Sequence, residues 1–573
     1  MFGKKTLRLA TAALMVGVTL GAQQFVPRHA SAAGETGVIT LTDWQFPDGC
    51  NGLATASVAD QEICAPMEDT LFYLDNHLTY HPDLVKEMPT TQNGDVKIVN
   101  GDMVVTYRLK PHLKWSDGSP LTADDLTFDV QLQLATGNSF GVDQIKDMKS
   151  LNGGSVWQVT YKGIYAPFIA YGNPSPLYPK AYLQKKYGST DITTIANKFS
   201  TDVYNLPSDV FSGAYKIDSW TNGQSIVIVP NPYYNALPPA SGHPRPAQIK
   251  FVNIASDSAS LIAALGSPNA GVDKAEDFQF TDLPGLYNTK YNIQSQAALF
   301  VEHLELNQAG PLKDVRLRQA LTLGLDRPGL FRQLFPAVKN VNAYMLPTVL
   351  PNTSPFFDKS VKLAPYDVNK AKALMRAAGY SDSYSGPGKH LFLRFATTTS
   401  STRQKAFQII SKYWAQIGVH LSPTFASGSP SANGGMFSPY TLNGVLEQRR
   451  FDVALFAFSE SPDPQQSEAN FDPSLIPTSA PDHHGAGDQN YTGITDKDQF
   501  NLLVQARHEL DNQKRQALFN QWQKLTASRY YWIMLYARPN ITADDRTIGN
   551  YLLNPSQAGN SWNAFQWYKK GAA

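Results

Sequence analysis

The sequence lacks an excess of either charge. Its 573 residues include 49 lysines and arginines against 48 aspartates and glutamates. Four of the basic residues lie in the first 33 positions, which contain no acid, so the remainder carries 45 basic and 48 acidic residues, a formal charge of −3. Nucleic-acid binding needs a basic face for the phosphates. We therefore expect no nucleic-acid partner.

Beyond the N-terminal segment the sequence also lacks apolar runs long enough to cross a membrane. The N-terminal segment itself is typical of a secretory signal peptide over residues 1–33, because about 14 apolar residues are too few for a span that needs about 20. We expect cleavage after Ala32 or Ala33 and an extracytoplasmic location. No cysteine follows the apolar stretch to carry the lipid of a bacterial lipoprotein. The signal consists of basic Lys4, Lys5 and Arg8, the apolar stretch Leu9 to Ala22, and the small residues Ala30, Ser31 and Ala32.

Cysteine is scarce, and Cys50 and Cys64 are the two in the sequence. In an exported chain, an even number of cysteines with thirteen residues between them favours a short disulfide loop. Free thiols and a metal pair are the alternatives. Zinc sites use more ligands at closer spacing, and the adjacent pair His483-His484 lies in a loop rich in Pro, Gly and Asp without such companions. We predict a Cys50–Cys64 bond, no metal site and no cofactor.

Familiar catalytic motifs are absent. The sequence contains no G-x-S-x-G elbow, no G-x-x-x-x-G-K-[ST] phosphate loop and no H-E-x-x-H zinc pair. His508-Glu509 lacks the second histidine that a zinc protease requires. A secreted hydrolase that uses two carboxylates would leave no spacing to detect, so this alternative remains open.

The composition predicts a folded protein of several units. The hydrophobic fraction is 42% and the charged fraction 17%, which excludes wholesale disorder. At roughly 150 residues per domain, a mature chain of about 540 residues corresponds to three or four domain-sized units. Strand and helix signals alternate without a repeating period, which indicates an α/β fold. Predicted strands are Met103 to Leu109, Ser225 to Val229, Gln248 to Ile254 and Asp452 to Phe458.

Helix boundaries are well marked. Thr122 can cap a helix with Asp125 three residues on, and Asp367 precedes an apolar face that ends at Gly379. A longer helix contains Trp414, ends at Gly418 and leads into a predicted strand at 419–421. The segments 427–439 and 462–493 are predicted to be loops because they are rich in Ser, Gly, Pro or Asp.

Several blocks of sequence resemble one protein family. The most specific block runs from Tyr107 to Leu126, where an aromatic-Ser-Asp-Gly turn, Trp115-Ser116-Asp117-Gly118, is followed by a capped helix. The chain is thereby identified as similar to the large extracytoplasmic solute-binding proteins, family 5, of bacterial peptide and nickel ABC transporters. Weaker matches in the same order are Gly213 to Lys216, Asn231 to Tyr234, Leu306 to Leu321, Ala371 to Tyr380, Trp414 to Leu421, Phe451 to Pro464, Asn490 to Gly493 and Arg515 to Tyr536.

The resemblance implies a two-lobed, periplasmic-binding-protein-like fold of type II, the Venus flytrap, with an extra domain inserted in the first lobe. Chain that passes between the lobes would form a hinge, and the ligand would be buried where the lobes meet. The implied division is a signal peptide at 1–33, first lobe at 34–74, inserted small domain at 75–200, first lobe at 201–298, second lobe at 299–535, and a return to the first lobe at 536–573.

The resemblance also suggests ligand-binding residues. In peptide-binding members, an acidic residue three positions before the Asp of an Asp-Pro pair holds the peptide amino group, and Glu460 has that position relative to Asp463-Pro464. Asp463 is a second candidate. Trp44 and Phe46 follow the first strand, where the family's chain borders the cleft, with core packing as the alternative. Arg403 could pair with a ligand carboxylate, with a solvated helix end as the alternative.

We therefore expect a non-enzymatic, monomeric receptor that captures a peptide or similar small polar solute and delivers it to an ABC transporter permease. A non-peptide ligand such as an oligosaccharide is an alternative, because abundant aromatic residues, 11% of the chain, stack on sugar rings as readily as they pack peptide side chains. A secreted carboxylate-dependent hydrolase is a second alternative. A chaperone or signalling receptor with the same fold is a third.

Overall fold

The architecture was obtained from a computed structural model. It describes residues 37–47, 49–52, 58–137, 140–175, 177–202, 210–479 and 489–571. The predicted signal peptide at 1–33 lies outside these residues, as does part of the predicted loop at 462–493. No helix formed by the described residues is both long enough and apolar enough to cross a bilayer.

The strands share a high content of β-branched and aromatic residues. Within the described residues they are β1 (Val38–Thr42), β2 (Phe72–Leu74), β3 (Tyr80–Pro82), β4 (Val96–Val99), β5 (Asp102–Arg108), β6 (Ile145–Leu151), β7 (Val156–Tyr161), β8 (Tyr215–Thr221), β9 (Ser225–Pro230), β10 (Gln248–Val252), β11 (Lys274–Phe278), β12 (Asn292–Leu306), β13 (Leu391–Thr398), β14 (Val419–Ala426), β15 (Val453–Ser459), β16 (Trp532–Asp544), β17 (Ile548–Gly549) and β18 (Tyr568–Lys569).

Many helices begin at an aspartate whose side chain accepts a hydrogen bond from the first turn. Within the described residues the helices are α1 (Val58–Cys64), α2 (Ala123–Thr136), α3 (Lys180–Tyr187), α4 (Ile192–Thr201), α5 (Ser258–Leu265), α6 (Leu283–Leu286), α7 (Val315–Leu323), α8 (Arg327–Leu334), α9 (Val368–Ala377), α10 (Ser401–Ala415), α11 (Glu468–Phe471), α12 (Lys497–Arg507) and α13 (Asn512–Arg529).

The strands and helices predicted from local sequence are confirmed, whereas the predicted loop at 462–493 contains the short helix α11. The four predicted strands are β5, β9, β10 and β15, each displaced by at most two residues at an end. At the start of α2, the Thr122 side chain accepts from the backbone of the first turn while the Asp125 carboxylate accepts from the Thr122 N–H. Asp367 caps α9. The Trp414 helix is α10, and the strand after Gly418 is β14.

A ten-stranded mixed sheet runs through the molecule in the order β14-β13-β15-β12-β16-β11-β1-β10-β9-β8. One half contains β14, β13 and β15, which pair in parallel beside helix α10. The other half contains β11, β1, β10, β9 and β8. The central strands β12 and β16 are antiparallel and belong to both halves.

The two central strands cross from one half to the other at an irregularity. Ala297 pairs with Pro539 and Val301 pairs with Ala537, so residues 298–300 lie opposite the single residue Arg538. Such an irregularity bends a sheet locally and increases its twist. From Phe300 onward β12 also pairs with β15, and from Ile541 onward β16 pairs with β11. We therefore expect any rotation of one half of the sheet against the other to take place at the crossing.

A separate four-stranded sheet, with order β4-β5-β7-β6, lies outside the ten-stranded sheet. We call it the small sheet. It has a hydrophobic core of its own, around the buried side chains of Tyr107, Trp115 and Trp157, and α2 packs beside it. The boundaries of the inserted domain and of the lobes given above remain predictions.

Cys50 and Cys64 are joined in the structure, with 5.6 Å between their Cα atoms. Near the disulfide, the C-terminal segment of the chain contacts α1. The Asn560 N–H and the Ser561 hydroxyl both donate to the carboxylate of Glu62 in α1, at 2.6 and 2.7 Å. Buried Lys274 lies near the same carboxylate, 3.9 Å from it. The N-terminal and C-terminal segments of the described chain are thereby fixed to each other beside the crossing.

Candidate functional site

The candidate site is built around two cavities, with volumes of 490 and 320 Å³, that are both lined by Gln61 and Gln557. The smaller cavity includes Ala298, Phe300 and Arg538, so it opens directly onto the strand crossing. The larger one is lined by the β2–β3 hairpin, by the segment that follows the small sheet and by the C-terminal segment. Volumes of about 300 to 1,000 Å³ are usual for small-molecule sites.

Glu460 follows β15 beside the smaller cavity, and it belongs to the lining of neither cavity. Its N–H donates to the carbonyl of Leu299 in the strand crossing, at 2.6 Å, which fixes the loop to β12 between the cavity residues Ala298 and Phe300. Its carboxylate is buried, accepts a hydrogen bond from the Ser467 hydroxyl at 3.3 Å, and forms no ion pair with any residue that the structure describes. Burial raises the pKa of Glu460 to about 7. A buried acid that lacks a cation therefore lies beside the smaller cavity.

Asp463 is buried three residues later but is fully engaged. Arg515 donates to both of its carboxylate oxygens, at 2.6 and 2.8 Å, and the N–H of Gln465 also donates to the same group. The Asp463 carbonyl accepts a hydrogen bond from the Tyr171 hydroxyl at 2.6 Å. Tyr171 belongs to the segment that follows the small sheet, so this bond connects two separate parts of the fold. The structure gives Asp463 a role in positioning the loop.

Arg403 is also engaged. Its guanidinium donates to both oxygens of Glu302, at 3.2 and 2.9 Å, and to the hydroxyl of Thr398. Arg538 donates to the same Glu302 carboxylate at 2.6 Å. Burial alone would raise the pKa of Glu302, but the charges of Arg538 and Arg403 outweigh it and hold the pKa at about 2. Arg403 is thus neither a solvated helix end nor a free cation in this structure.

Trp44 and Phe46 follow β1 as predicted but have different surroundings. The Trp44 indole N–H donates to the Asp277 carbonyl at 3.1 Å, and Asp277 lines the smaller cavity. Phe46 packs edge-on against Phe251 and Trp220 in the core of its own half. Trp44 therefore lies next to the cavity, whereas the contacts of Phe46 are those of core packing.

The sequence did not single out several residues that line the larger cavity or border it. Glu68, Asp69 and Asp83 contribute carboxyl groups to its wall, and Tyr80 and Trp562 contribute rings. Gln557 lines the cavity while its amide donates to the Ser459 hydroxyl beside Glu460. These residues come from distant parts of the chain, and the adjacent acids of Met67-Glu68-Asp69 were the single local signal. Within the described residues, no group of three or more His, Cys, Asp or Glu side chains is arranged to hold a metal ion.

Residues 79–479 match the family model of the bacterial extracellular solute-binding proteins, family 5 (middle region). The chain belongs to this family. The match covers the small sheet, the strand crossing and the Glu460 loop.

Curated relatives are distant but extend over most of the chain. The oligopeptide-binding protein AppA of Bacillus subtilis is 23% identical over 497 residues, which cover 82% of each sequence. The periplasmic oligopeptide-binding protein OppA of Escherichia coli is 24% identical over 56% of this chain and 59% of its own.

Solved structures have the same fold. AppA of Bacillus subtilis, in complex with a nonapeptide, superposes with a TM-score of 0.67 at 18% identity, covering 94% of this chain and 99% of its own. The periplasmic EDTA-binding protein EppA has a TM-score of 0.73 at 21% identity, covering 94% and 97%. The expected two-lobed α/β fold is confirmed. We expect the two halves of the large sheet to be the two lobes, with the strand crossing as the connection between them.

Proposed function

We propose that this protein is the substrate-binding component of an ABC importer, that it captures a peptide between its lobes, and that it delivers the peptide to a membrane permease. It acts as a monomer outside the cytoplasm, after export by the signal at 1–33, and it does not alter its ligand. Membership in the solute-binding family and the peptide-binding relatives support this proposal. The bound peptide would lie in the connected cavities beside the strand crossing.

Glu460 is the observation that carries the peptide assignment. A peptide's terminal ammonium loses water when the lobes close and then needs an anion, because an unpaired buried charge costs several kcal/mol. Glu460 offers a buried carboxylate without a cation, whereas Asp463 and Glu302 already have arginine partners. Within the loop after β15, Glu460 is therefore the acid that can accept the ammonium.

The test compares free-amino tripeptides with the same tripeptides after N-acetylation, which removes the ammonium. We expect the protein to bind the free-amino mixture, and Glu460→Gln to weaken that binding by roughly 3 to 5 kcal/mol, or 100-fold and more. Calorimetric titration gives the affinities. Glu305→Gln is the matched control: Glu305 is a buried acid near the C-terminal end of β12, away from the strand crossing, and it accepts a hydrogen bond from the Thr492 hydroxyl.

Equal binding of free and acetylated peptides would show that Glu460 does not hold the peptide ammonium, and binding of neither would contradict the peptide assignment. Native mass spectrometry of protein purified from its host provides an independent check, since the mass of any retained ligand distinguishes a peptide from an oligosaccharide.

A carboxylate-dependent hydrolase is the second candidate, because the structure brings two acids together in the larger cavity. Asp69 and Asp83 are both buried there, and Asp69 contributes to raising the pKa of Asp83. Paired carboxyl groups of this kind can serve as acid and base. Mass spectrometry of peptides recovered after incubation separates the two functions: intact peptides support a receptor, and cleaved peptides support the hydrolase.

A further inference from the structure

The larger cavity contains more acid than its surroundings neutralise. Asp69 and Asp83 are 8% and 3% exposed, and Glu68, which is half-buried, stands next to them on the cavity wall. None of the three forms an ion pair with a residue that the structure describes. The buried carboxyl groups of Asp69 and Asp83 interact with each other, and Asp69 also interacts with the Tyr234 hydroxyl. The Glu68 carboxylate has no hydrogen-bond partner among the described residues.

The nearest basic side chains are committed elsewhere. The Lys110 ammonium donates to the Ala236 carbonyl at 2.8 Å. The Arg245 guanidinium donates to two carbonyls, those of Phe565 and Leu237, and stacks over the ring of Tyr234. Both cations act on Asp69 from a distance only. The acids of the cavity therefore lack a contact ion pair from the protein itself.

Aromatic rings complete the wall. Tyr73 stacks with Trp562 at 6.1 Å between ring centroids, and both rings line the cavity. Tyr80 lines it as well, and burial together with the charge of Asp463 raises the pKa of the Tyr80 hydroxyl. Tyr80 thereby brings the cavity wall within electrostatic reach of Asp463 in the loop after β15. Rings attract organic cations through their π faces, and this attraction adds to that of carboxylates.

We propose that this cavity is a subsite for a cationic side chain, so that the preferred ligands are peptides that contain lysine or arginine. The inference rests on the proposed peptide function and narrows it. An organic cation fits better than a metal ion, because the acids of the described chain form no metal-binding group. Glu460 would hold the terminal ammonium, and Glu68, Asp69 and Asp83 would hold the second positive charge.

Proton uptake by the empty cavity supports this assignment. Burial raises the pKa of Glu68 to about 8 and that of Asp69 to about 7. Near neutral pH the empty acids therefore retain protons, and an entering cation should displace them. The other titratable and charged groups around the cavity are Tyr73, Asp75, Tyr80, His81, Lys110, Tyr234 and Arg245.

The experiment uses tripeptides of alanine in which each position in turn is replaced by lysine, norleucine or acetyl-lysine. At one position, we expect the peptide with lysine to bind at least about 30-fold more tightly than the peptide with norleucine. A preference of this size is in the range measured for desolvated charge pairs. Glu68→Gln and Asp69→Asn should each reduce that preference, and the matched control Glu87→Gln should not. Glu87 is an exposed acid of the same region that is not part of the cavity wall. Titration at pH 7 in phosphate and in Tris should show proton release for the lysine peptide alone.

The outcomes separate the two proposals. Equal affinity for lysine and norleucine peptides, with loss of both in Glu460→Gln, would overturn the cationic subsite and leave the peptide function intact. Binding of spermidine without binding of any tripeptide would retain the cation site and overturn the peptide function. Absence of binding by tripeptides and spermidine alike would overturn both. If both Glu68→Gln and Asp69→Asn keep the lysine preference, the cationic side chain does not bind in this cavity and the proposed subsite is wrong.

Discussion

At the scale of single residues, Glu302 and Glu460 show that partners decide what burial does to a carboxyl group. Both side chains are buried and both lie beside the strand crossing. Two arginines hold the pKa of Glu302 at about 2, whereas burial without a cation raises the pKa of Glu460 to about 7. Glu302 stabilises the fold through its ion pairs. Glu460 is the proposed partner of a positive charge on the ligand.

The raised pKa of Glu460 predicts a pH dependence of stability. Between its ordinary value of 4.5 and about 7, the folded ligand-free protein binds a proton that the unfolded chain has released, so the free energy of unfolding falls as pH rises through this window. Glu460→Gln removes this loss. We expect the variant to gain about 3 kcal/mol relative to the unmodified protein between pH 4.5 and pH 8. Urea denaturation at pH 4.5 and at pH 8 gives the difference in free energy of unfolding between the two proteins at each pH. If this difference is the same at both pH values, the prediction is wrong.

The Asp463–Arg515 pair predicts a different result. Asp463→Asn should lower the free energy of unfolding by about 3 to 5 kcal/mol, because Arg515 would remain buried without its anion. Asp452→Asn is the matched control, since Asp452 pairs with the exposed Arg394 and an exposed pair contributes about 1 kcal/mol or less. Thermal melts of both variants test this. A loss of affinity with unchanged stability in Asp463→Asn would instead make Asp463 a ligand-binding residue.

Sequence reasoning was least complete at this scale. Glu460 and Asp463 were candidate ligand contacts through the family resemblance, and Arg403 was a candidate because its guanidinium suits pairing with a ligand carboxylate. Their partners decide between contact and support, and those partners lie 52 residues away for Asp463 and 101 residues away for Arg403. A local pattern contains no information about such pairs.

At the scale of helices and strands, local sequence patterns predicted the structure correctly where the patterns are strong. The capping box at Thr122 and the aspartate caps are read from neighbouring residues, and the structure confirms those at Thr122 and Asp367. The long strand β12 was not predicted. Much of it is buried on both faces, so it lacks the alternating pattern of a half-exposed strand, and its register changes at the crossing. The formation of β12 depends on β15 and β16, the strands that pair with it on its two sides.

The disulfide predicts a measurable effect on the element that it anchors. Closing a loop of this length stabilises the folded chain by about 3 kcal/mol in the chain-entropy picture. We expect no free thiols in the denatured, unreduced protein, and a lower melting temperature for the double variant Cys50→Ser with Cys64→Ser. Two reactive thiols per chain would contradict the bond. An unchanged melting temperature would show that the bond does not stabilise α1.

At the scale of the whole molecule, the Tyr171–Asp463 bond links the region of the small sheet to the second lobe. The Tyr171 hydroxyl meets the Asp463 carbonyl when the two parts are in contact. Tyr171→Phe removes the bond and retains the ring, so it should favour separation of the lobes and weaken peptide binding about fivefold, the equivalent of one hydrogen bond. Small-angle scattering should show a larger radius of gyration in the ligand-free variant. Equal radii and equal affinities would exclude a role in closure. Tyr165→Phe is a suitable control.

The global architecture was accessible through resemblance, because many weak blocks in a fixed order are more informative than any single one. Composition and periodicity reached only the α/β class. The positions of cavities, and therefore of Glu68, Asp69 and Asp83, follow from how distant segments pack. They could not be derived without the structure.

The backbone of Leu299 has a consequence for transport. Its N–H donates to the Pro555 carbonyl and its carbonyl accepts from Glu460 N–H, so the backbone of one residue in the irregular part of β12 contacts both the C-terminal segment and the loop of Glu460. Under the proposed function, occupancy at Glu460 would change the angle between the lobes at the place where the ligand is bound. A permease that recognised this angle would need no contact with the solute. Receptors with different pockets could then use one translocation channel, and evolution could exchange cargo by changing the cavity alone.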